Sequence, residues 1–380
     1  MYSQPKRIEF LDSIRGLAAL FVLLSHSLAA FSWPNSLFFK SLTWPFVDIL
    51  WNGKEAVVMF FILSGYVLSK PYVETSPVTR TFFLPTFYFR RFIRIWPPWF
   101  FAFVASVMAR KWLFFHPDTK PPVTSWFSSF WHKPLTTPDF LRQCVFALHE
   151  PSRLLLNQDW SLGVELKASL LIPLFVVCVR RKNQAWIFPL AVAFLFFSTG
   201  LFYVSMIIGV LVAQYDARWC ACFASLPKLA KAGVFAGGLL FYQAFGLLQN
   251  IFTGQPSLYV YKYGLLLTAL GCAAILIAVL GSKGLQRMLS WKPVVFLGRV
   301  SYSVYLLQFI TIFCLLPPLV ACLNRFGITQ PLILFFMTIL TSVVVTVGCA
   351  AVMHRLIEIP VIDFGHWITK RIQLKYPKQI

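Results

Sequence analysis

Apolar residues dominate this chain in long runs that short polar segments separate. A bilayer core of about 30 Å is crossed by about 20 helical residues, so runs of this kind are typical of transmembrane helices. The pattern predicts ten helices, at about 14–32, 55–70, 96–113, 160–179, 185–199, 201–215, 232–249, 262–281, 299–320 and 331–357. The second, fifth and sixth are short, so we expect some of them to be tilted, broken or buried by neighbours.

Charged residues support this count, since Lys and Arg gather on the cytoplasmic side of membrane proteins. The chain of 380 residues has 34 Lys and Arg against 13 Asp and Glu, a formal net charge of +21. With ten spans, most of these cations fall on inner loops if both termini are cytoplasmic. The sequence therefore predicts an all-α, polytopic integral membrane protein, with a transmembrane domain over 1–362 and a basic cytoplasmic tail over 363–380. Because membrane topology accounts for the excess of Lys and Arg, the positive net charge does not indicate nucleic-acid binding.

Two predicted loops are longer than the rest, an inner one over about 71–95 and an outer one over about 114–159. The outer loop combines histidines, tryptophans and prolines, a mixture that lines binding surfaces but is also common in interfacial loops. The aromatic and histidine side chains concerned are His116, Trp126, Trp131, His132 and His149. Cys220 and Cys222 lack the second ligand pair of a zinc site, so no metal is predicted.

Arg15 and His26 interrupt the first apolar run. Their separation of eleven residues leaves about 20° after three helical turns, so both side chains project from one face, about 16 Å apart along the axis. Ionisable groups are costly inside a bilayer and often mark functional sites. A structural role fits the spacing equally well, with Arg15 reaching the interface and His26 bonding to a neighbouring helix.

Glu165 is a second ionisable group in an apolar run. Asp159, Trp160 and Ser161 predict a capped helix start at the outer interface, with Glu165 about one turn further in. A carboxylate at this depth requires a partner, and His26 is a candidate. A purely structural role for Glu165 remains an alternative.

Three arginines follow the inner loop, Arg90, Arg91 and Arg94. On a helix their spacings of three and four residues predict one cationic edge at the mouth of the third span. Arginine binds phosphate through planar bidentate contacts, so this edge suits a phosphorylated ligand from the cytoplasm. The alternative is a topological signal that contacts lipid headgroups.

Six segments occur in the order of a known family: "FLDSIRGLAALFVLLSHS", "VVMFFILSGYVLS", "FRRFIRIWP", "WSLGVE", "GRVSYSVYLLQ" and "HRLIEIP". Together they resemble the membrane-bound acyltransferase 3 family, integral-membrane O-acyltransferases that modify glycans and other exported molecules. The resemblance covers about residues 8–362. Any one motif is weak evidence, but six in the family's order are a strong signal.

The resemblance implies a role for individual residues. His26 matches the family's essential histidine, a base or acyl acceptor, with Arg15 as its partner and Glu165 as the acid of the Trp-Ser-Leu-x-x-Glu motif. Arg91 and Arg94 match the pair thought to hold the acyl-CoA donor, and Arg90 is a third candidate. The candidates for substrate binding are Asp12, Ser64, Trp160, Ser161 and Gln308. One position departs from the family, where histidine is common at 308; Gln308 forms hydrogen bonds but does not titrate.

The activity that this resemblance implies is O-acyl transfer. An acyl group, most simply acetyl, would move from cytoplasmic acyl-CoA, a co-substrate and not a bound cofactor, to a hydroxyl of an extracytoplasmic glycan or secreted small molecule. A hydroxyl needs a general base to attack a thioester, and histidine suits that task. The alternative is a secondary transporter or flippase for an acylated or lipid-linked substrate, since carriers also hold ionisable groups near the midplane. No internal repeat supports that alternative.

Overall fold

The computed structural model describes residues 8–44, 46–73, 84–115, 117–131, 136–144, 155–180, 184–197, 199–251 and 258–375. Regular secondary structure in these ranges is helical, apart from one isolated antiparallel bridge between Phe31 and Val123. The predicted all-α class is therefore confirmed. His116, His132 and His149 of the outer loop lie outside the described residues.

The described residues form a succession of α-helices, and a π-helical turn over His354–Glu358 joins the last two. In chain order they are α1 (Glu9–Ala29), α2 (Leu37–Ser41), α3 (Gly53–Val73), α4 (Leu84–Trp112), α5 (Ser125–Ser128), α6 (Thr137–Cys144), α7 (Asp159–Leu170), α8 (Ile172–Arg180), α9 (Ile187–Leu195), α10 (Gly200–Gln214), α11 (Asp216–Ser225), α12 (Lys228–Tyr242), α13 (Ala244–Ile251), α14 (Leu258–Leu280), α15 (Lys283–Leu289), α16 (Lys292–Cys314), α17 (Leu316–Arg325), α18 (Pro331–Met353) and α19 (Ile359–Lys375).

Length and apolar character identify six helices of the described chain as membrane spans, or up to eight if two bent pairs are each one span. The bent pairs are α7 with α8, at 47°, and α10 with α11, at 73°. The protein is thus a multi-pass membrane protein, while the count of ten and the side of the termini stay predictions. Helix α9 has nine residues, about 14 Å, and is too short to cross a bilayer by itself. Helix α3 has 21 residues, so the second predicted span is longer than expected.

One boundary of the sequence prediction is wrong. Helix α4 begins at Leu84, so the predicted inner loop over 71–95 ends about twelve residues earlier than expected. Hydropathy failed here because three arginines interrupt the apolar run, although they are good helix formers. The limit of the transmembrane domain at residue 362, which lies within α19, stays a prediction.

The chain forms two compact units. The first comprises residues 1–20, 54–79 and 174–301, and close helix crossings at glycines hold it together. A Cβ atom at Gly65 of α3 would lie 2.1 Å from the Met206 carbonyl oxygen, and one at Gly209 of α10 would lie 2.1 Å from that of Ile62. Only glycine permits such an approach, which confirms the expected close packing at the Ser-Gly step of residues 64 and 65. Asp216 at the start of α11 binds both Lys70 and the Tyr66 hydroxyl of α3.

The second unit comprises residues 21–53, 80–173 and 302–380. Aromatic side chains pack around the C-terminal half of α16, where the Phe313 ring lies 5.0 Å from Phe127 and 5.1 Å from Trp131, centroid to centroid. Phe127 and Trp131 belong to the predicted outer loop, and both are buried. Part of that loop therefore forms hydrophobic core against the end of a membrane helix.

Candidate active site

His26 lies in the last turn of α1, and its ring faces α16. The Nδ1 atom of His26 is 3.1 Å from Oε1 of Gln308, a contact across 282 positions of the sequence. Gln308 is 0% exposed. The structure thus brings together two of the predicted site residues, and both belong to the second unit.

The Gln308 amide has a defined orientation. Its Nε2 atom donates to the carbonyl oxygen of Tyr305, at 3.0 Å, one turn earlier on α16. Only the amide nitrogen can donate to a carbonyl, so the amide oxygen must be the atom that faces His26. That oxygen accepts, and Nδ1 of His26 must therefore carry and donate the proton. In the neutral imidazole the lone pair then resides on Nε2, the ring atom that is chemically able to act as a base or a nucleophile.

Two aromatic rings pack against the His26 imidazole. The Trp126 ring stacks on it with a centroid distance of 5.6 Å and an interplanar angle of 12°. The Phe309 ring, next to Gln308 on α16, is tilted at 4.6 Å. The Trp126 and Phe309 centroids are 6.2 Å apart, so the two rings lie side by side around the imidazole, and Nε2 is its second polar atom beside the bonded Nδ1.

Trp126 is positioned by a segment of the outer loop that is fastened to the end of α1. The backbone N–H of Ser32 donates to Pro122, at 2.8 Å, and that of Thr124 donates to Ala30, at 3.0 Å. The Thr124 hydroxyl also donates to the Ala29 carbonyl and accepts from the N–H of Phe127, which caps the short helix α5. Sequence analysis assigned Trp126 to a binding surface or an ordinary loop; its stacking on His26 was not foreseen.

The start of α7 contacts α16 one turn before Gln308. The Gln158 side-chain amide donates to the Leu306 carbonyl oxygen, at 2.7 Å. The Ser161 hydroxyl donates to the Gln158 carbonyl and forms a second hydrogen bond with the Tyr305 hydroxyl. The candidate Ser161 is therefore buried against α16, where its partner Tyr305 precedes Gln308 by three residues. The adjacent candidate Trp160 is half-buried.

Asp159 is a further candidate residue, which the sequence pattern indicated only as part of a helix cap. Helix α7 does begin there, but the side chain does not cap it: one carboxylate oxygen accepts from the indole N–H of Trp99 on α4, at 2.7 Å. Asp159 is 1% exposed, and its second oxygen has no hydrogen-bond partner among the described residues. A buried carboxylate with an open acceptor position is a strong binding group for a donor proton.

Glu165 binds Arg91 and not His26. The Nη2 atom of Arg91 is 3.0 Å from Oε1 of Glu165, and the arginine is buried. The expected contact of Glu165 with His26 is therefore wrong, because the carboxylate pairs with Arg91 and the imidazole bonds to Gln308. A guanidinium in this environment requires a counter-charge, which Glu165 supplies.

The three arginines of α4 do not share one edge. Arg90 and Arg94, four residues apart, are exposed, whereas Arg91 points into the unit. Arg90 donates from Nε and Nη2 to the Thr369 hydroxyl of α19, at 3.1 and 2.9 Å. The predicted cationic edge is thus reduced to Arg90 and Arg94.

The remaining predicted site residues, Asp12, Arg15 and Ser64, are half-buried and belong to the first unit. Arg15 does share α1 with His26, as its spacing predicted. Their catalytic and binding roles stay predictions.

A further buried polar cluster, missed by sequence reasoning, surrounds the π-helical turn. The Ser303 hydroxyl of α16 donates to one oxygen of Glu358, and Nδ1 of His354 lies 3.0 Å from the other. His354 and Glu358 both belong to the "HRLIEIP" segment, and π-helical turns are frequent at functional sites. The resemblance of that segment to the family was the sequence signal that could have drawn attention to this cluster.

A family model described as an acyltransferase domain matches residues 8–354. The chain belongs to this acyltransferase family. The match includes His26, Gln308, Glu165 and the arginines of α4, and it ends before α19. This member of the acyltransferase family is accordingly a multi-pass membrane protein.

Individual relatives of the acyltransferase are distant. It is 24% identical to the O-acetyltransferase OatA of Staphylococcus aureus, over 95% of this chain and 58% of that protein. It is 24% identical to the peptidoglycan O-acetyltransferase OatA of Listeria monocytogenes, over 94% and 56%. It is 27% identical to nodulation protein 10 of Rhizobium leguminosarum, over 48% of each. The chain thus spans less than two thirds of the length of these relatives, and no solved structure matches it significantly.

Proposed function

We propose that this acyltransferase moves an acetyl group from acetyl-CoA to a hydroxyl of an extracytoplasmic glycan, with Nε2 of His26 as the general base. The observation that carries the proposal is the hydrogen bond between His26 and the oriented amide of Gln308. It fixes the tautomer in which Nε2 holds the lone pair. General-base catalysis of this kind contributes about 10²- to 10⁴-fold to a rate.

The proposed chemical step is a direct transfer. Nε2 removes the proton of the acceptor hydroxyl while the hydroxyl oxygen attacks the thioester carbonyl carbon. The carbon–sulfur bond then breaks, and the CoA thiolate takes the proton back from Nε2. The imidazolium that exists between these events is stabilised by the acceptor oxygen of Gln308 and by contact with the Trp126 ring face.

A two-step route through an acylated histidine is less compatible with Gln308. Attack by Nε2 on the thioester would produce an acyl-imidazolium that still carries the Nδ1 proton. A neutral acyl-imidazole would form only if that proton left, and an amide cannot accept it. We therefore favour proton abstraction over covalent catalysis.

The identities of donor and acceptor rest on different arguments. The donor follows from the family resemblance and from the exposed cations Arg90 and Arg94, on the side that the charge distribution predicts to be cytoplasmic. The acceptor follows from the relatives, of which one is named a peptidoglycan O-acetyltransferase. A cell-wall glycan is accordingly the acceptor that we propose. Family membership disfavours the alternative of a transporter or flippase.

The test is transfer by the purified protein in lipid nanodiscs, with labelled acetyl-CoA and a soluble peptidoglycan oligosaccharide. We expect release of the CoA thiol together with acetyl ester on the glycan, and a loss of at least about 100-fold in kcat for His26→Ala. Size-exclusion and thermal unfolding profiles verify that the variant is folded. Full activity of folded His26→Ala contradicts the mechanism. Uptake of an acylated glycan into vesicles without any ester formation supports the transporter instead.

The acceptor is tested separately in the source cells. Mass spectrometry of surface glycans from cells with and without the gene should show loss of O-acetyl ester from the cell wall. Loss from another secreted molecule would retain the enzyme class and change the acceptor.

A further inference from the structure

Helix α19 lies beyond the residues matched by the family model, yet it packs on the arginine segment of α4. A Cβ atom at Gly365 would lie 3.1 Å from the Ile93 side chain, so the two helices are in close contact there. One turn later on α19, the buried Thr369 accepts both hydrogen bonds from Arg90. Residue numbers rise along α19 as they fall along α4, so the pair is antiparallel.

The contact assembles cations from both helices. His366 of α19 lies within electrostatic range of Arg90 and Arg94, and also of the carboxylate of Asp363. Lys370 follows His366 by four residues, hence on the same face, and it is exposed. We call the cations Arg90, Arg94 and Lys370, together with the neighbouring His366 imidazole, the cationic face. Like charges so close together repel one another unless an anion binds between them.

A different face of α19 is suited to lipid. The rings of Phe364 and Trp367 stack at 6.1 Å between centroids, and both are about half exposed. The Arg371 guanidinium lies 3.9 Å above the Trp367 ring. An exposed aromatic pair with a stacked arginine is the arrangement that anchors helices at a membrane interface. Membrane attachment therefore has its own side chains and does not require the cationic face.

We propose that the cationic face is the site for the phosphates of the CoA donor, so that α19 supplies half of the donor site. CoA carries a 3′-phosphate and a diphosphate, and guanidinium groups bind such oxygens through paired hydrogen bonds. Arg91 is not part of this site because Glu165 neutralises it inside the unit. The inference rests on the proposed function, in which acyl-CoA is the donor. Lipid headgroups offer the same phosphate chemistry, so the test must separate the two sources.

Neighbouring residues on α19 provide matched variants. Lys370→Gln removes a cation from the cationic face, whereas Arg371→Gln removes one from the lipid face at the next position. The measurement is equilibrium binding of labelled CoA and of 3′-dephospho-CoA to the full chain in nanodiscs of phosphatidylcholine alone. We expect Lys370→Gln and His366→Gln each to weaken CoA binding by about three- to ten-fold, and Arg371→Gln to change it by less than two-fold. Discrimination against 3′-dephospho-CoA should decrease in Lys370→Gln.

The lipid source is tested by repeating the binding in nanodiscs that contain about a third phosphatidylglycerol. A site for CoA phosphates predicts that Lys370→Gln weakens CoA binding in both lipid compositions. Wild-type affinity for CoA in both Lys370→Gln and His366→Gln overturns the inference, as does an equal loss in Arg371→Gln. Failure of the wild-type protein to bind CoA would instead reject the proposed donor, so the two failures are distinguishable.

Discussion

Replacing Gln308 by leucine removes the acceptor for Nδ1 of His26 and retains almost the same side-chain volume. Gln308 is fully buried, so packing should be conserved while its hydrogen bonds to His26 and to the Tyr305 carbonyl oxygen are lost. The tautomer with the proton on Nδ1 then has an unsatisfied donor, which costs about 1–3 kcal/mol relative to the other tautomer. Because 1.36 kcal/mol is ten-fold in rate, we expect kcat to fall by about 5- to 150-fold.

The assay for this variant is steady-state release of the CoA thiol in the presence of the glycan acceptor. A residue that orients the base without touching the donor lowers kcat and leaves KM for acetyl-CoA within about two-fold. Gln308→Glu serves as the conservative variant, since a carboxyl oxygen in nearly the same position can accept from Nδ1. We expect it to recover part of the lost kcat.

Wild-type kcat in Gln308→Leu, together with an inactive His26→Ala, would refute the reasoning about the tautomer. An equal loss in the leucine and glutamate variants would also contradict it, because packing and not hydrogen bonding would then be responsible. Thermal unfolding midpoints within a few degrees of the wild type exclude loss of folded protein as the cause.

Two other substitutions test the ion pair between Arg91 and Glu165 and the stacking of Trp126 on His26. Arg91→Ala removes the guanidinium that faces Glu165, so we expect the free energy of unfolding to fall by about 2 kcal/mol, less than for a fully buried pair because Glu165 keeps 23% side-chain exposure. Adding Glu165→Gln should recover part of the loss in denaturant unfolding, and no recovery would contradict a charge effect. Trp126→Ala removes about 1 kcal/mol of ring stacking on His26 and should lower kcat about five-fold. Trp126→Phe should retain most of the activity, and equal losses in the two variants would contradict a stacking role.

Sequence periodicity was sufficient to find the helical segments and to place His26 and Arg15 on one helix face. It failed where charge interrupts an apolar run, as at the start of α4. The same helical periodicity places Arg91 on a different face from the other two arginines, since Arg90 and Arg94 are about one turn apart and Arg91 lies about 100° from Arg90. Which of the two faces is buried depends on packing against α7 and α19, and that packing is a tertiary property.

The partners of the site residues could not be read from the sequence. Glu165 was a reasonable partner for His26 by depth, but pairings across helices depend on their rotation and order in the bundle. Gln308 attracted attention only as an exception to a family pattern, and its contact with His26 is seen only in the structure. The stacking of Trp126 on His26 could not be predicted for a different reason. The conformation of its loop depends on backbone hydrogen bonds such as that of Thr124.

The pairing of His26 with Gln308 also has a consequence for biosynthesis. His26 belongs to α1, and Gln308 belongs to α16, which is synthesised about 280 residues later. At translation rates of about 5–20 residues per second, the imidazole waits some tens of seconds for the group that orients it. On the proposed mechanism, a nascent chain inserted without α16 lacks an oriented base and is protected from wasteful thioester hydrolysis until α16 has been made.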